Sequence, residues 1–426
     1  MAEQPFTNVT VIEFGQFVAV PYAAQLLADG GAHVIKVEPL EGEPTRHLTP
    51  LIPGETRHFL SRNRGKHSLP LELRHAETPA ILDALLAKAD VALFNLRPGL
   101  AAELGLDGAA LRTKFPRLIV GNVTAFGTKG PDSGLAGMDY VVQARSGLMA
   151  SMGKVSDEGL PAAGDSPISD YMCAALLAFG IAGALYRRER TGEGGEVDIT
   201  LLGAAMALQN TLFTRVHSHD LATDDATRAW LKQARGEGAP FTDQMAHNSG
   251  VRPSYLTGVY YRTYETKDSA VAIACASPGL QKKLQDATGV TDAMWGKTAG
   301  RPIAELVEHY LGVQGEMEVR FRELSTREWQ ATFNAIGIPA SPVYLPVELL
   351  VDGQVEANNL VYTREHWGLG PVTNLNVPLQ LDGDGFQAGP TPARIGTEVA
   401  GILAWAGFDE ATVARLRDSG AVLKVD

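Results

Sequence analysis

The chain has 426 residues and a formal net charge of −12, from 37 Lys plus Arg against 49 Asp plus Glu. Hydrophobic residues make up 45% and charged residues 20%, a globular composition that excludes a disordered chain. A pI near 5.4 argues against a general nucleic-acid binder, so any anionic ligand must be held by a local basic cluster. At this length two or three domains with large cores are expected.

The opening reads as strand, helix, strand: VTVIEF at 9–14, YAAQLLA at 22–28 and HVIKVE at 33–38. Apolar strands at 91–95 and 118–123 follow, with a helix-like stretch at 78–88 before them. Strands alternating with helices predict a parallel α/β sheet. The first turn has Gly15, but Phe17 and Val20 occupy the remaining positions of a G-x-G-x-x-G fingerprint, so the chemistry of a dinucleotide site is absent. Tyr171 to Tyr186 is sixteen residues without a charge, closed by Asp170 and Arg187. At about 1.5 Å per residue it spans roughly 24 Å, short of the roughly 30 Å hydrocarbon core, and a helix buried in protein is expected.

A strand-like run at 197–202 and an alanine-rich stretch follow. The polar segment 217–253, rich in Asp, Thr, Gly and Asn, reads as a linker or mobile loop. Paired strands are expected at 258–264 and 271–275, helices near 278–288, 303–311 and 316–335, and a helix-rich tail at 398–419. Cys173 and Cys275 lie in apolar runs and are too few for a disulfide framework or a four-cysteine zinc site. MAEQPFTNVTVIEF has neither the basic region nor the apolar run of a secretory signal, and a cytoplasmic location is expected.

Several motifs carry no chemistry. No G-x-S-x-G elbow exists, Gly296-Lys297-Thr298 lacks the first glycine of a P-loop, and His217, His219 and Asp220 have no further ligand nearby; no metal site is expected. Three stretches are more informative. Arg57, Arg62, Arg64, Lys66 and Arg74 lie close together with His58 and His67, and Glu72 is the only acid among them. Such a cluster suits phosphate oxygens, though a solvated charge run has the same composition. Asn95-Leu96-Arg97-Pro98-Gly99 follows a strand directly, where open α/β sheets bind ligands, but an ordinary Pro-Gly turn reads the same way. Asp170 falls in the first turn of the long helix, where the helix dipole favours an ionised carboxylate. It is a candidate nucleophile or simply a capping acid.

Across nearly its whole length the chain resembles the class III CoA-transferases, the family of formyl-CoA transferase and the carnitine CoA-transferases, with α-methylacyl-CoA racemase as a branch. The resemblance is carried, in order, by PYAAQLLADGGAHVIKVEP, GEPTR, NRGKHS, NLRPG, ELGLDGAALRTKFPRLIVGNV, GMDYVVQARSGLM, SDYMCAALLAFGIAGALYRRERTGEGGEVDITLL, GIPASPVY and LGPVTNLNVPLQLDG. It implies an α/β fold with a Rossmann-like parallel-sheet large domain built from both chain ends, plus a smaller α+β domain, in an interlocked homodimer. The large domain would take 1–216 and, after a return linker, the end of 336–426, with the linker at 217–253 and the small domain at 254–335.

The resemblance further implies that Asp170 is the catalytic nucleophile, passing through an aspartyl anhydride and an aspartyl-CoA thioester. CoA, a substrate rather than a bound cofactor, would lie against Val18, Ala19, Arg46, Asn63, Arg64, Lys66, Leu71, Leu73, Asn95, Leu96, Arg97, Met138 and Asp139. The partners implied are an acyl-CoA donor and a carboxylic acid acceptor, with no nucleic acid and no membrane. Relatives often carry glycine where Val20 stands, and some place an arginine at the position of Glu103. The racemase branch needs a histidine where this chain has Met138, which cannot carry a proton, so transfer is favoured over epimerisation. A non-catalytic acyl-CoA-binding protein is the remaining alternative.

Overall fold

The structure is a computed structural model that describes residues 3–96, 98–251 and 257–424. The chain divides into two compact units, one formed by Met1–Arg215 with Glu356–Asp426 and the other by Val216–Val355.

The first unit is built on six parallel strands: β1 (Thr10–Glu13), β2 (His33–Glu38), β3 (Lys66–Pro70), β4 (Val91–Phe94), β5 (Ile119–Thr124) and β6 (Gly195–Thr200), in the order β3-β2-β1-β4-β5-β6. Successive side chains point to opposite faces, and on β1, β2, β4 and β5 both faces are largely covered, so these strands read as mainly apolar runs. Val11, Val34, Val91 and Ile119 pack against helix α1 (Ala19–Asp29) and the long helix Ile168–Thr191. Ile12, Ile35, Leu69, Ala92 and Val120 pack against the helices Thr78–Leu86, Val399–Ala406 and Glu410–Asp418, so the tail of the chain closes the second face.

The long apolar helix is a core helix: Cys173, Ala174, Leu177 and Ile181 are fully buried. It lies close to the sheet because the two surfaces are cut away at glycine. A Cβ on Gly121 would stand 3.1 Å from Ile181 Cδ1 and 3.2 Å from Leu177 Cδ1 of the helix, and one on Gly180 would stand 2.6 Å from Val197 Cγ1 of β6. An antiparallel hairpin of β10 (Val361–His366) and β11 (Gly370–Leu375) also belongs to this unit.

The second unit has a three-stranded antiparallel sheet of β7 (Tyr261–Glu265), β8 (Ala270–Ala274) and β9 (Ala340–Pro342). Its core is aromatic: Tyr264 stacks on Phe321 at 4.2 Å, and Trp329 and Phe333 pack beside them. β9 pairs with β8 inside this unit, and the division from the first unit falls at Val355/Glu356.

The expected linker at 217–253 is instead helical, at His217–Gly236 and Phe241–Val251. Ala, Leu, Lys, Gln and Arg between 221 and 235 favour helix intrinsically, and Asp220 accepts the Val216 N–H in the first turn at 2.7 Å. Only Ala234 is buried in the first of these helices, so no apolar period marked it; Trp230 stacks on His247 at 3.7 Å to join the two. The expected start of the small domain at 254 lies outside the described residues. β3 hid inside the basic cluster, where its charged residues masked a strand.

Candidate functional site

The strand order changes direction between β1 and β4, the point at which open α/β sheets take up ligands. The turn after β1 is tight: a Cβ on Gly15 would lie 2.2 Å from Val20 Cγ1. It is tied across the switch point, because the Gln16 N–H donates to Asn95 Oδ1 at 3.0 Å and Asn95 Nδ2 donates back to the Gln16 carbonyl at 2.8 Å. Val18 and Ala19, which open α1, are both buried. Leu71 is 1% exposed, and Leu73 and Leu96 pack partly buried against the same core. Arg97 lies outside the described residues.

The basic stretch does not form the open cationic patch expected from its composition. Arg46 is 1% exposed and holds Glu38 with two nitrogens, at 2.8 and 2.9 Å, and Glu55 with a third at 3.1 Å. Arg64 grips Asp29 through Nε and Nη2, at 2.9 and 2.7 Å. Lys66 Nζ meets Glu13 at 2.8 Å, the Pro21 carbonyl at 2.7 Å and Asn63 Oδ1 at 2.8 Å. Asn63 in turn donates to the Phe59 carbonyl.

Burial leaves its mark on the network: the Lys66 ammonium is depressed to about 8, and the Glu55 carboxyl is pushed up to about 7 against the pull of Arg46. Breaking such buried pairs to meet a phosphate costs several kcal/mol, so Arg46, Arg64 and Lys66 are frame rather than phosphate ligands. The exposed basic groups of the stretch are Arg57, His58 and Arg74. The partners Glu13, Asp29, Glu38 and Glu55 are scattered along the chain, and no local reading of 57–74 reveals them.

Asp170 opens a different environment. It lies partly buried in the first turn of the long helix, next to Ser169, whose backbone N–H donates to Asp139 Oδ1 at 2.8 Å. The Asp170 N–H reaches the same oxygen at 3.2 Å, and Gln143 Nε2 holds the other oxygen of Asp139. Asp139 is therefore a cap on the helix that carries Asp170, positioned by its own helix Asp139–Arg145, and its carboxylate is turned to that helix's backbone. Met138, at the entrance to that helix, is 55% exposed.

The dipole argument for an ionised Asp170 does not hold. Burial first, and then the negative charge of Asp139, push its carboxyl up to about 7, with Arg62 opposing them. Arg62 donates to the Tyr171 hydroxyl at 3.3 Å, its guanidinium lies 5.9 Å from the Tyr171 ring centroid, and Tyr171 meets Tyr22 of α1 edge-on at 4.9 Å. Arg62 thus acts on the candidate nucleophile, and Tyr171, its neighbour in the chain, ties Arg62 to Tyr22. Of these, only Arg62 had a sequence signal, as one member of the basic cluster. Cys173, one turn further along, is buried, and its thiol is pushed up to about 12 by burial and by Asp170.

The arrangement offers a carboxyl raised toward neutrality, the nearby cation Arg62 and a helix N-terminus capped from a second helix. Similarity to known proteins agrees with this chemistry. Residues 6–396 match the CoA-transferase family III model. The chain is 28% identical to cinnamoyl-CoA:phenyllactate CoA-transferase of Clostridium sporogenes over 85% of its length and 83% of that protein. It is 27% identical to mouse succinyl-CoA:glutarate CoA-transferase over 98% of its length and 90% of that protein. Among solved structures it resembles Rv3272 from Mycobacterium tuberculosis, with TM-score 0.73, 26% identity, and coverage of 94% of this chain and 99% of that one. The chain belongs to CoA-transferase family III and is an enzyme of that class.

Proposed function

We propose that this enzyme moves CoA from an acyl-CoA thioester to a carboxylic acid, with Asp170 as the nucleophile. The observation that carries this reading is the placement of the Asp170 carboxyl: partly buried in the first turn of the long helix, whose backbone amides are capped by Asp139, with Arg62 acting on it. A carboxylate with little hydration attacks readily once deprotonated.

In the first step an Asp170 oxygen bonds to the donor's carbonyl carbon, the C–S bond breaks, and CoA leaves as thiolate. The thiolate then attacks the aspartyl carbonyl of the mixed anhydride, forming aspartyl-CoA and releasing the donor acid as carboxylate. The acceptor carboxylate attacks aspartyl-CoA in the same way, giving a second anhydride and CoA thiolate. Attack of that thiolate on the acceptor's acyl carbon yields the product thioester and restores Asp170. Every intermediate is hydrolysable, so water must be kept out. The buried loop at Val18 and Ala19 suits that role, Leu71, Leu73 and Leu96 belong to the proposed CoA contact, and the exposed Arg57, His58 and Arg74 suit the nucleotide phosphates. Arg97, outside the described residues, belongs to the same proposed contact. Epimerisation at the α-carbon lacks its base, because Met138 has no titratable group.

The chain is further proposed to act as an interlocked homodimer, which accords with Phe179 at 78% and Tyr186 at 67% exposure on the long helix. Equilibrium sedimentation at the mass of one chain would contradict that.

The chemical test uses a panel of acyl-CoA donors with acids labelled by ¹⁸O. Because the acceptor leaves one carboxylate oxygen on Asp170, the label reaches the released donor acid over repeated turnovers. Transfer without label in the donor acid would exclude the anhydride route. Exchange of the donor's α-hydrogen in heavy water, with no acceptor present, would favour epimerisation.

A further inference from the structure

The turn between β1 and α1 contains a residue in a conformation it does not favour. Phe17 has φ +67°, the left-handed region that a bulky side chain enters only when its surroundings hold it there. Its backbone N–H donates to Glu43 Oε2 at 3.0 Å. Glu43 is fully buried and is itself fixed: Oε1 accepts from the Thr45 hydroxyl at 2.6 Å and from Asn63 at 3.5 Å, and its own N–H donates to Glu38 at 3.0 Å. The two preceding residues are held from other elements. Lys36 Nζ donates to the Gly15 carbonyl at 2.8 Å, and Asn95 makes both bonds to Gln16.

We propose that Glu43 is a positioning residue for CoA transfer: its carboxylate holds Phe17 in the left-handed conformation and so fixes the turn that presents Val18 and Ala19. This rests on the reading above that the turn borders the acyl-CoA site. A carboxylate accepts on both oxygens, which the Phe17 N–H on one side and Thr45 with Asn63 on the other require. An amide accepts on one oxygen only, so Glu43→Gln sets an NH₂ against a donor and frees Phe17 to relax to negative φ. That relaxation turns the peptide planes flanking Phe17 and moves the entry to α1. Glycine occupies the left-handed region without strain, so it needs no clamp.

The test compares the wild-type enzyme with Glu43→Gln, Phe17→Gly and the double variant, by amide hydrogen exchange over 14–20 and by kcat and KM for an acyl-CoA donor. Glu43→Gln should speed exchange at 17–19 and lower kcat/KM about tenfold. The double variant should recover most of that loss relative to Phe17→Gly alone. A role confined to stability would lower the melting temperature without this rescue, and would overturn the proposal. So would wild-type exchange and kinetics in Glu43→Gln.

If Glu43→Gln does not fold, Phe17→Pro with Glu43 intact takes its place. Proline locks φ near −65° and has no N–H, so wild-type activity there would contradict the account. The exchange measurement needs no substrate. A wild-type enzyme that turned over no donor–acceptor pair would therefore sink the functional reading separately, while unchanged loop exchange would sink the clamp.

Discussion

Two charged regions of this chain behave in opposite ways. The stretch from Arg46 to Lys66 is dense with cations, yet Arg46, Arg64 and Lys66 each face buried carboxylates and are spent on structure. Around Asp170 the charge is sparse and unbalanced: two carboxylates lie close together, and Arg62 is the cation that opposes them. Charge compensated inside a protein builds a frame, whereas charge left uncompensated at a helix N-terminus is poised to react. The density of charge in a sequence therefore does not indicate where it is available.

The sharpest way to break this contrast is to remove the two charges in turn. Asp170→Asn should lower turnover by at least about 10³-fold, read from the rate of acyl-CoA consumption with acceptor present. The same variant should be more stable than wild type at pH 8, by about 2 kcal/mol in urea titrations. The sign follows from the raised carboxyl of the folded enzyme. Its stabilising proton is fully present below the unfolded value near 3.8 and is lost as pH rises through about 7. Below pH 4 the two proteins should therefore be equally stable, and an advantage for Asp170→Asn persisting there would contradict the assignment.

Arg64→Met should cost about 3–5 kcal/mol of stability, because Asp29 is left buried without its partner. A loss of CoA affinity with unchanged stability would instead make Arg64 a phosphate ligand and undo the comparison. Asp139→Asn removes the like charge beside Asp170 while keeping a capping oxygen. The acid limb of kcat/KM, expected near pH 7 in the wild type, should move to lower pH. A limb that stays in place would remove Asp139 as a cause. The smallest effect falls on the surface: Arg57→Ala should change stability by less than about 0.5 kcal/mol and raise KM for the acyl-CoA donor a few-fold. An unchanged KM would take Arg57 out of the proposed phosphate contact.

The parallel sheet was legible in the sequence because strands buried on both faces are mainly apolar and β-branched, as VTVIEF and VALF show. β3 was not, since Lys66 and His67 interrupt its pattern and their partners, Glu13 and Glu398, lie far away in the chain. The helices at 217–251 escaped because they bury almost nothing, leaving propensity as their only signal. Asp170 could be named from its position at the helix start and from the family resemblance, but its protonation could not. That depends on Asp139, brought within hydrogen-bond reach of its backbone across 31 positions of sequence. Phe17 illustrates the same limit: it read as the residue that spoils a glycine motif, and only the backbone reveals that it is held in a glycine-like conformation.

The central claim is that Asp170 carries the CoA covalently between donor and acceptor. Enzyme incubated at pH 8 with a donor acyl-CoA and no acceptor, quenched, digested and weighed by mass spectrometry tests it most directly. A peptide containing Asp170 and heavier by one CoA less one water, absent in Asp170→Asn, is the result the account predicts. An unmodified Asp170 peptide, together with continued turnover by Asp170→Asn, would contradict it.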